Sequence, residues 1–441
     1  MRIVRIACVV LLPFIFSIGC GIVETEISIN SITPSAGTVH GGTEVVISGT
    51  QFDSTTTAAF GTQPATVTQA QSTSLTVIAP SAIETGAVDV TVTNSKAKSV
   101  TRKGGYTYVS MLAVANRDSA QAALFNVDTA NFTMTAFSKS PFSTQGVAPQ
   151  DAAADVEHGL VFVPNGNSST LAVFSASYVD GTLTQSGSPA GVNSVGPVAV
   201  AVDSNHLLAF TANRTSGTVS SFTYDPVTGK ATNVSGTTST QGAAPTDVKI
   251  DSTLMLLFAT NSGSNTIAVF SYDAAGDLTE VAGSPFTAGG AGASAVAVDV
   301  SSHLIFTADS NSAQVSVFTF DSSGKLTAAA GSPFAANGVG PADVVVDADR
   351  NILFVANQSS KTVSSFTYDD TGALTLVSTP GSGGTDPVAL AVDIGHSTLY
   401  CANAGSATVS ILTYGADGTL TEEGTPVSAG GTAPFGLAYL P

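Results

Sequence analysis

The sequence is short of charged side chains, contains no tryptophan and has only three cysteines. Charged residues make up 10% of its 441 residues, well below the ~25% usual in soluble domains, and long surface helices are disfavoured because they need Glu, Lys and Arg. Lys plus Arg number 14 against 32 Asp plus Glu, a net charge of −18. This balance argues against a nucleic-acid partner, since phosphate binding depends on clustered cations. Three cysteines make neither a disulfide framework nor a thiolate zinc site.

The chain is instead rich in glycine, with 43 residues, and in short runs that alternate apolar and polar side chains. Runs such as EVVISG and VDVTVTN are bounded by Gly, Pro, Ser and Asn, which is typical of strands joined by tight turns. The sequence therefore predicts an all-β protein.

The first residues have the features of an export signal. Arg2 and Arg5 precede an apolar stretch over 6–16 that is too short to span a bilayer comfortably. Small residues and Cys20 follow, and the segment resembles a bacterial lipoprotein signal, which implies removal of 1–19 and lipid attachment to the Cys20 thiol. An ordinary secretory signal is the alternative. Both predict export, and the first predicts an outer-membrane or surface lipoprotein of the cell envelope.

After a tether over 20–28, residues 29–109 form one small β unit. The stretch SITPSAGTVHGGTEVVISGTQF, with AAFGTQPATV, SLTVIAP and GGYTY after it, resembles an IPT/TIG immunoglobulin-like domain. The resemblance covers nearly the whole segment. It implies a sandwich that acts as a spacer or interaction module and carries no chemistry.

From residue 110 the chain repeats seven times. An Asn or Asp ends the second strand of each unit, at spacings of 46–49 residues, at Asn116, Asn165, Asn213, Asn261, Asp309, Asn357 and Asn403. A period in the forties with about four short strands per unit is typical of propeller blades. We name the strands of each blade A to D, from the axis outward.

The two ends of the repeat predict how the ring closes. The repeat begins at MLAVAN, a strand B without a strand A, and the C-terminal PFGLAYL is a strand A without B, C or D. The orphan strand would complete the first blade and leave no exposed sheet edge. Residues 110–441 are thus expected to form a seven-bladed propeller closed by the C-terminal strand.

The repeated motif also resembles a known group. P-x-x-V-A-V-D, then L-F-V-A-N and T-V-S-x-F-x-Y-D, then G-x-L-T and S-P-F, is similar to the lactonase-type (6-phosphogluconolactonase-like, YVTN-repeat) propellers. This resemblance implies hydrolysis of a sugar lactone at the axis, on the face that carries the B–C turns and the D-to-A loops. However, the seven strand-A starts contain neither Arg nor His, so no catalytic residue is carried over.

Residues that differ between blades are the candidate site residues. Asp151, Asp247 and Asp343 alternate with Ala or Gly at one strand-A position, so three carboxylates would ring the channel and suit Ca²⁺. The simpler alternative is that they bond to loop amides or meet water. As a catalytic base, Asp247 or Asp343 is the candidate.

Cations are scarce, so their positions matter. Arg117 and Arg214 follow the B–C Asn of two blades, and Lys249 lies two residues after Asp247. Together they are candidate ligands for an anion, and the alternative is that they are exposed rim cations, with Lys249 paired to an acid.

The remaining chemical side chains are expected to be structural. The propeller histidines follow the strand-A Asp in the A–B turn, on the face away from the expected site, at His158, His206, His303 and His396. Cys401 lies in the apolar run LYCAN and is expected to be an inert core residue.

These features favour a non-enzymatic function. We expect an exported, lipid-anchored protein whose propeller binds a protein or glycan, held off the membrane by the immunoglobulin-like spacer. The alternative is a lactonase that uses the three cations around its substrate with Asp247 or Asp343 as base.

Overall fold

A computed structural model describes residues 26–234 and 236–441. Every element in these two ranges is a strand, so the expected all-β class is confirmed. No helix in the described residues has the length and apolar character needed to cross a bilayer. The predicted signal over 1–19 and Cys20 lie outside the described residues.

The N-terminal domain is a sandwich of two sheets. Its strands are Ser28–Thr33, Ala36–Thr38, Glu44–Thr50, Thr57–Phe60, Gln63–Pro64, Thr66–Gln71, Ser74–Ile78, Gly86–Thr93 and the first half of Ser99–Asn116. The alternating runs place one set of side chains between the sheets, where Ile47, Leu75 and Val92 are fully buried. The immunoglobulin-like architecture expected from the sequence is confirmed.

The rest of the chain forms seven four-stranded blades around one axis. Blades 1–7 have as strand A Pro434–Leu440, Ala153–Asp155, Pro197–Asp203, Pro245–Asp251, Ala293–Asp299, Pro341–Asp347 and Pro387–Asp393. Strand B is the second half of Ser99–Asn116, then Leu160–Asn165, Leu208–Asn213, Leu256–Asn261, Leu304–Asp309, Ile352–Asn357 and Thr398–Asn403.

The two outer strands of each blade follow. Strand C is Gln121–Asp128, Thr170–Ala176, Thr218–Tyr224, Thr266–Tyr272, Gln314–Phe320, Thr362–Tyr368 and Thr408–Tyr414. Strand D is Thr133–Ala136, Leu183–Gln185, Ala231–Asn233, Leu278–Glu280, Leu326–Ala328, Leu374–Ser378 and Leu420–Ser428. Two-residue strands that pair with the start of strand C are Phe142–Ser143, Ala190–Gly191, Thr238–Ser239, Phe286–Thr287 and Phe334–Ala335.

The C-terminal strand closes the ring as predicted. Pro434–Leu440 pairs antiparallel with the second half of Ser99–Asn116, from Pro434 opposite Asn116 to Leu440 opposite Met111. Each inner strand packs on the next, and the strands of blades 7 and 2 both contact Pro434–Leu440. Because the first blade is built from both ends of the repeat, the ring holds itself shut without an open sheet edge.

One continuous strand joins the two domains. Ser99–Asn116 pairs with Gly86–Thr93 in the sandwich and with Gln121–Asp128 in blade 1. On the A–B and C–D face of the propeller, Thr85 and Thr129 exchange hydrogen bonds of 3.3–3.4 Å, and His396 Nε2 lies 2.5 Å from the Ile83 carbonyl oxygen. The sandwich is therefore fixed to the face opposite the B–C turns.

Buried carboxylates tie neighbouring blades together through tyrosine. The strand-A Asp of one blade accepts a hydrogen bond of 2.6–2.9 Å from a Tyr hydroxyl of the next, in the pairs Tyr224–Asp155, Tyr272–Asp203, Tyr368–Asp299, Tyr414–Asp347 and Tyr439–Asp393. Asp251 is the exception, since Phe320 stands where the next blade would supply the Tyr. Asp251 Oδ2 is buried and has no partner among the described residues.

This missing bond yields a stability prediction. Phe320→Tyr should give Asp251 Oδ2 its donor and raise the free energy of unfolding by about 1 kcal/mol, the usual net value of such a bond. The measurement is urea or thermal unfolding of the whole chain. Tyr272→Phe is the matched control, because it removes the equivalent bond to Asp203 and should destabilise by a similar or larger amount. A Phe320→Tyr variant no more stable than the wild type would contradict the assignment.

Candidate functional site

The propeller axis contains a cavity of about 610 Å³. Its wall is formed by the inner strands, and its mouth by residues that follow strand B, among them Arg214, Ser262, Ser310 and Gln358. The mouth therefore lies on the face with the B–C turns, away from the sandwich. Three carboxylates, one ammonium and one guanidinium line this single cavity, supplied by Asp151, Asp247, Asp343, Lys249 and Arg214.

Each of the three aspartates bridges two neighbouring inner strands. Oδ1 accepts the N–H of the following residue at 2.8 Å, and Oδ2 accepts an N–H from the next blade at 2.7–3.0 Å, in the pairs Val200–Asp151, Val296–Asp247 and Leu390–Asp343. The receiving strands carry alanine at the equivalent position, which leaves room for the crossing carboxylate, at Ala199, Ala295 and Ala389. These carboxylate–amide bonds thus join blade 2 to blade 3, blade 4 to blade 5 and blade 6 to blade 7. The carboxylates therefore bond to backbone amides, but five of the six amides belong to strands and not to the loops of the expected alternative.

Lys249 lies among these carboxylates. Its Nζ is 2.8 Å from Asp247 Oδ1, and 37% of the side chain is exposed, in the cavity. Burial opposes its charge, but the carboxylates of Asp247, Asp151 and Asp343 outweigh that effect and raise the pKa of the ammonium. The expected pairing of Lys249 with an acid is confirmed, and the group stays cationic at neutral pH.

Two of the carboxylic acids titrate near neutrality. Burial raises the pKa of Asp343 to about 7 and that of Asp151 to about 6, against the opposing charge of Lys249. In both cases the negative charge of Asp247 adds to the rise. A carboxylate with a pKa near 7 is matched to general-base chemistry at neutral pH.

The three aspartates do not form the expected Ca²⁺ site. Within 26–234 and 236–441, no group of three or more His, Cys, Asp or Glu side chains is placed to hold a metal ion. The physical reason is that the three carboxylates reach to amides of three different neighbouring blades, and the Lys249 ammonium already supplies the positive charge beside them.

The two arginines differ in their surroundings. Arg214 lines the mouth, and its guanidinium makes no hydrogen bond or ion pair within the described part of the chain. Arg117 is not among the lining residues. Its Nε is 2.7 Å from Asp118 Oδ1, and its guanidinium carbon lies 3.9 Å from the centroid of the Phe435 ring. The structure therefore brings Arg214 and Lys249 into one site and leaves Arg117 outside the lining of the cavity.

The histidines and the cysteine are structural, as expected. Nδ1 lies 2.7–2.8 Å from a buried strand-A carboxylate in the pairs His158–Asp155, His206–Asp203 and His396–Asp393. His303 packs edge-on against Phe320, with ring centroids 5.2 Å apart. Cys401 is fully buried, and burial raises the pKa of its thiol, which suppresses the reactive thiolate.

Some lining residues were not singled out from the sequence. Phe435, Gln150 and Gln358 line the cavity, and Phe435 is the single aromatic residue among those that form its wall. The aligned strand-A starts do show Phe435 as the odd residue at its position. Phe435 gives no sign of a catalytic role in the sequence, because an aromatic ring alone carries no acid–base chemistry.

Fold and site together define a class: an immunoglobulin-like domain followed by a closed seven-bladed propeller with a charged axial cavity. The family model described as "IPT/TIG domain" matches residues 28–108. The model described as "Lactonase, 7-bladed beta-propeller" matches 179–292 and 303–435, more than half of the chain. The chain belongs to the lactonase family of seven-bladed propellers. Among curated proteins, none matches it significantly.

Several solved structures share the propeller fold. A periplasmic gluconolactonase, PpgL, of Pseudomonas aeruginosa is 19% identical, with a TM-score of 0.65, over 76% of this chain and 99% of that one. A Bacteroides fragilis protein described as a candidate 6-phosphogluconolactonase is 17% identical, with a TM-score of 0.66, over 76% of this chain and 98% of that one. A Lactobacillus plantarum protein is 18% identical, with a TM-score of 0.66, over 76% and 99%. At these identities the likeness shows the fold alone.

The raised carboxyl pKa values predict a pH dependence of stability. The folded chain holds protons on Asp343 and Asp151 between pH 4 and 7 that the unfolded chain has released, so stability falls as pH rises through this window. In the wild type, Asp343 should lower the free energy of unfolding by about 2 kcal/mol as the pH rises from 5 to 8, and Asp343→Ala should remove this contribution. Unfolding of the two proteins at pH 5, 6, 7 and 8 measures it.

The control is Asp370→Ala, which removes an exposed carboxylate outside the cavity and should keep the wild-type slope. Equal slopes in the wild type and Asp343→Ala would mean that Asp343 does not take up a proton on folding.

Proposed function

We propose that the axial cavity hydrolyses a lactone. The observation that carries this proposal is the meeting of Arg214, Lys249 and Asp343 in one cavity. The preference for a non-enzymatic scaffold rested on the lack of Arg and His at the strand-A starts. The cavity nevertheless contains two cations from other positions. Lys249 lies further along its strand A, and Arg214 lies in a B–C turn. Family membership adds support, and so does the fold shared with a gluconolactonase.

Ring-opening hydrolysis needs a base for water and a positive charge for the carbonyl oxygen. Asp343 has one hydrogen bond on each oxygen, which leaves lone pairs free, and its pKa of about 7 suits proton transfer at neutral pH. It takes a proton from water as the oxygen of that water bonds to the carbonyl carbon. The ring C–O bond then breaks, and the proton passes to the departing ring oxygen, giving a hydroxy acid.

The cations have separate roles in this scheme. Lys249 remains charged and stabilises the negative charge that develops on the carbonyl oxygen. Asp247 is 2.8 Å from its Nζ and acts as a positioning residue, which leaves Asp343 as the better candidate base. Arg214, unpaired at the mouth, binds an anionic or carbonyl group of the incoming molecule.

The test is turnover of a panel of sugar and aliphatic lactones by residues 21–441. We expect hydrolysis that is insensitive to chelator, and a loss in kcat/KM of about 10²-fold or more in Lys249→Met and Asp343→Asn. Lys361→Met is the matched control, because Lys361 is an exposed B–C-turn cation outside the cavity. Each variant is first shown to be folded at the assay temperature by its unfolding transition.

Two results would count against the proposal. If no lactone is hydrolysed above buffer, the cavity is a binding site, and the propeller is the recognition scaffold for a protein or glycan that the sequence favoured. If turnover is seen but survives both cavity substitutions, the reaction takes place elsewhere.

We also propose that the chain is exported and anchored through Cys20. Ser28 pairs with Thr50 at the end of the sandwich far from the propeller, whereas Ala36–Thr38 pairs with the joining strand beside it. The described chain thus starts at the sandwich end remote from the propeller, and the cavity mouth lies on the opposite propeller face. An anchor before residue 26 would leave the mouth facing away from the membrane.

Cys20→Ala should abolish incorporation of labelled palmitate and release the protein from the membrane fraction of a Gram-negative host. Cys8→Ala is the matched control, because the proposed cleavage removes this cysteine. Palmitate labelling that persists in Cys20→Ala would refute lipidation at this residue.

A further inference from the structure

Phe435 interrupts the repeat inside the axial cavity. It occupies the second position of strand A in blade 1, where the other blades carry Gln150, Val198, Thr246, Ser294, Ala342 and Val388. Those side chains are aliphatic or small and polar, and none is aromatic. The hydrogen bonds of Asp151, Asp247 and Asp343 between blades are made from the next position along the strand. The propeller fold therefore does not require an aromatic side chain at the position of Phe435.

The ring is held in position on one side. The Arg117 guanidinium carbon lies 3.9 Å from the ring centroid, and Arg117 is fixed by Asp118 through its side chain and by the Ala433 carbonyl oxygen through its backbone N–H. Arginine and aromatic faces attract each other at this distance. Phe435 is half-buried and lines the cavity, so the aromatic surface is immobilised before any ligand arrives.

Phe435 faces Lys249 across the channel. Lys249 belongs to blade 4, which is three blades from blade 1 in one direction and four in the other, so the two residues come from opposite walls. A ligand that fills the cavity contacts both. Lys249 offers a positive charge on one wall, and Phe435 offers a preformed apolar plane on the other.

We propose that Phe435 determines specificity for cyclic substrates. Its ring packs against the C–H face of the lactone, and the carbonyl group of the lactone is directed at Lys249. This inference rests on the proposed lactone hydrolysis and adds the feature that selects the substrate. A flat, rigid aromatic surface favours a ring over an open chain, because the ring presents its C–H groups in one plane and loses little conformational entropy on binding.

Kinetics give the first test. Phe435→Ala and Phe435→Leu should raise KM for a sugar lactone about tenfold, the equivalent of one aromatic contact, with kcat within about twofold. Phe435→Tyr should restore KM. Phe286→Leu is the matched control, because Phe286 is a half-buried ring outside the cavity, and it should change neither constant. A fall in kcat with unchanged KM, or no change in either constant, would overturn the proposal.

A binding test is independent of turnover. The chain has no tryptophan, so Phe435→Trp places the single tryptophan of the protein in the wall of the cavity, where its emission can be excited selectively over that of tyrosine. Gluconolactam, a ring analogue that resists hydrolysis, should shift its emission saturably, and the open-chain polyol sorbitol should not. Val227→Trp, at an exposed position outside the cavity, is the control and should respond to neither.

The two tests separate the two ideas. If no lactone is hydrolysed but the lactam shifts the Phe435→Trp emission, the proposed reaction fails and the ring-binding role of Phe435 stands. If lactones are hydrolysed and the lactam inhibits without changing that emission, the reaction stands and the role of Phe435 is refuted.

Discussion

The closing pair of strands is the constraint on which the whole molecule depends. Pro434–Leu440 completes blade 1 by pairing with a strand that begins in the immunoglobulin-like domain. This arrangement makes the N-terminal domain part of the ring closure as well as a spacer. It also fixes the direction of the cavity, because the sandwich is bonded to one face of the propeller while the mouth opens on the other.

Within that closed ring, two sets of aspartates form hydrogen bonds between neighbouring blades. The aspartates that bind tyrosine hydroxyls end strand A at the A–B turns, on the face that carries the sandwich, whereas Asp151, Asp247 and Asp343 bind amides near the cavity. The second set has two consequences. Their charge keeps Lys249 cationic inside the channel, and their burial moves two of their own pKa values toward neutrality. A structural device thereby becomes a set of groups suited to acid–base chemistry.

The sequence predicted the architecture because repetition multiplies weak signals. A single Asn or Asp predicts little about the fold. Seven units in register, with an unpaired strand at each end of the repeat, predict a closed propeller. The same averaging hides the site. Lys249 and Phe435 occur in one blade each, and Arg214 has an arginine counterpart only in blade 1, so the repeat gives no reason to expect them to meet.

The fate of the three aspartates shows the limit most clearly. Their alternation is visible in the sequence and suggests a cation site. In the structure each of the three carboxylates bonds to an amide of a different neighbouring blade, and the Lys249 ammonium already lies in the cavity. The sequence records which residues differ, but not which backbone groups a side chain meets from the next blade.

Local patterning by itself determined the all-β class, the two domains and the ring with its closing strand, because strand periodicity and turn residues act over a few positions. Only the tertiary structure decided what shares the axial cavity. Residues from all seven blades line it. The burial and electrostatic effects that set the protonation of its charged groups exist only once the seven inner strands have closed around one axis.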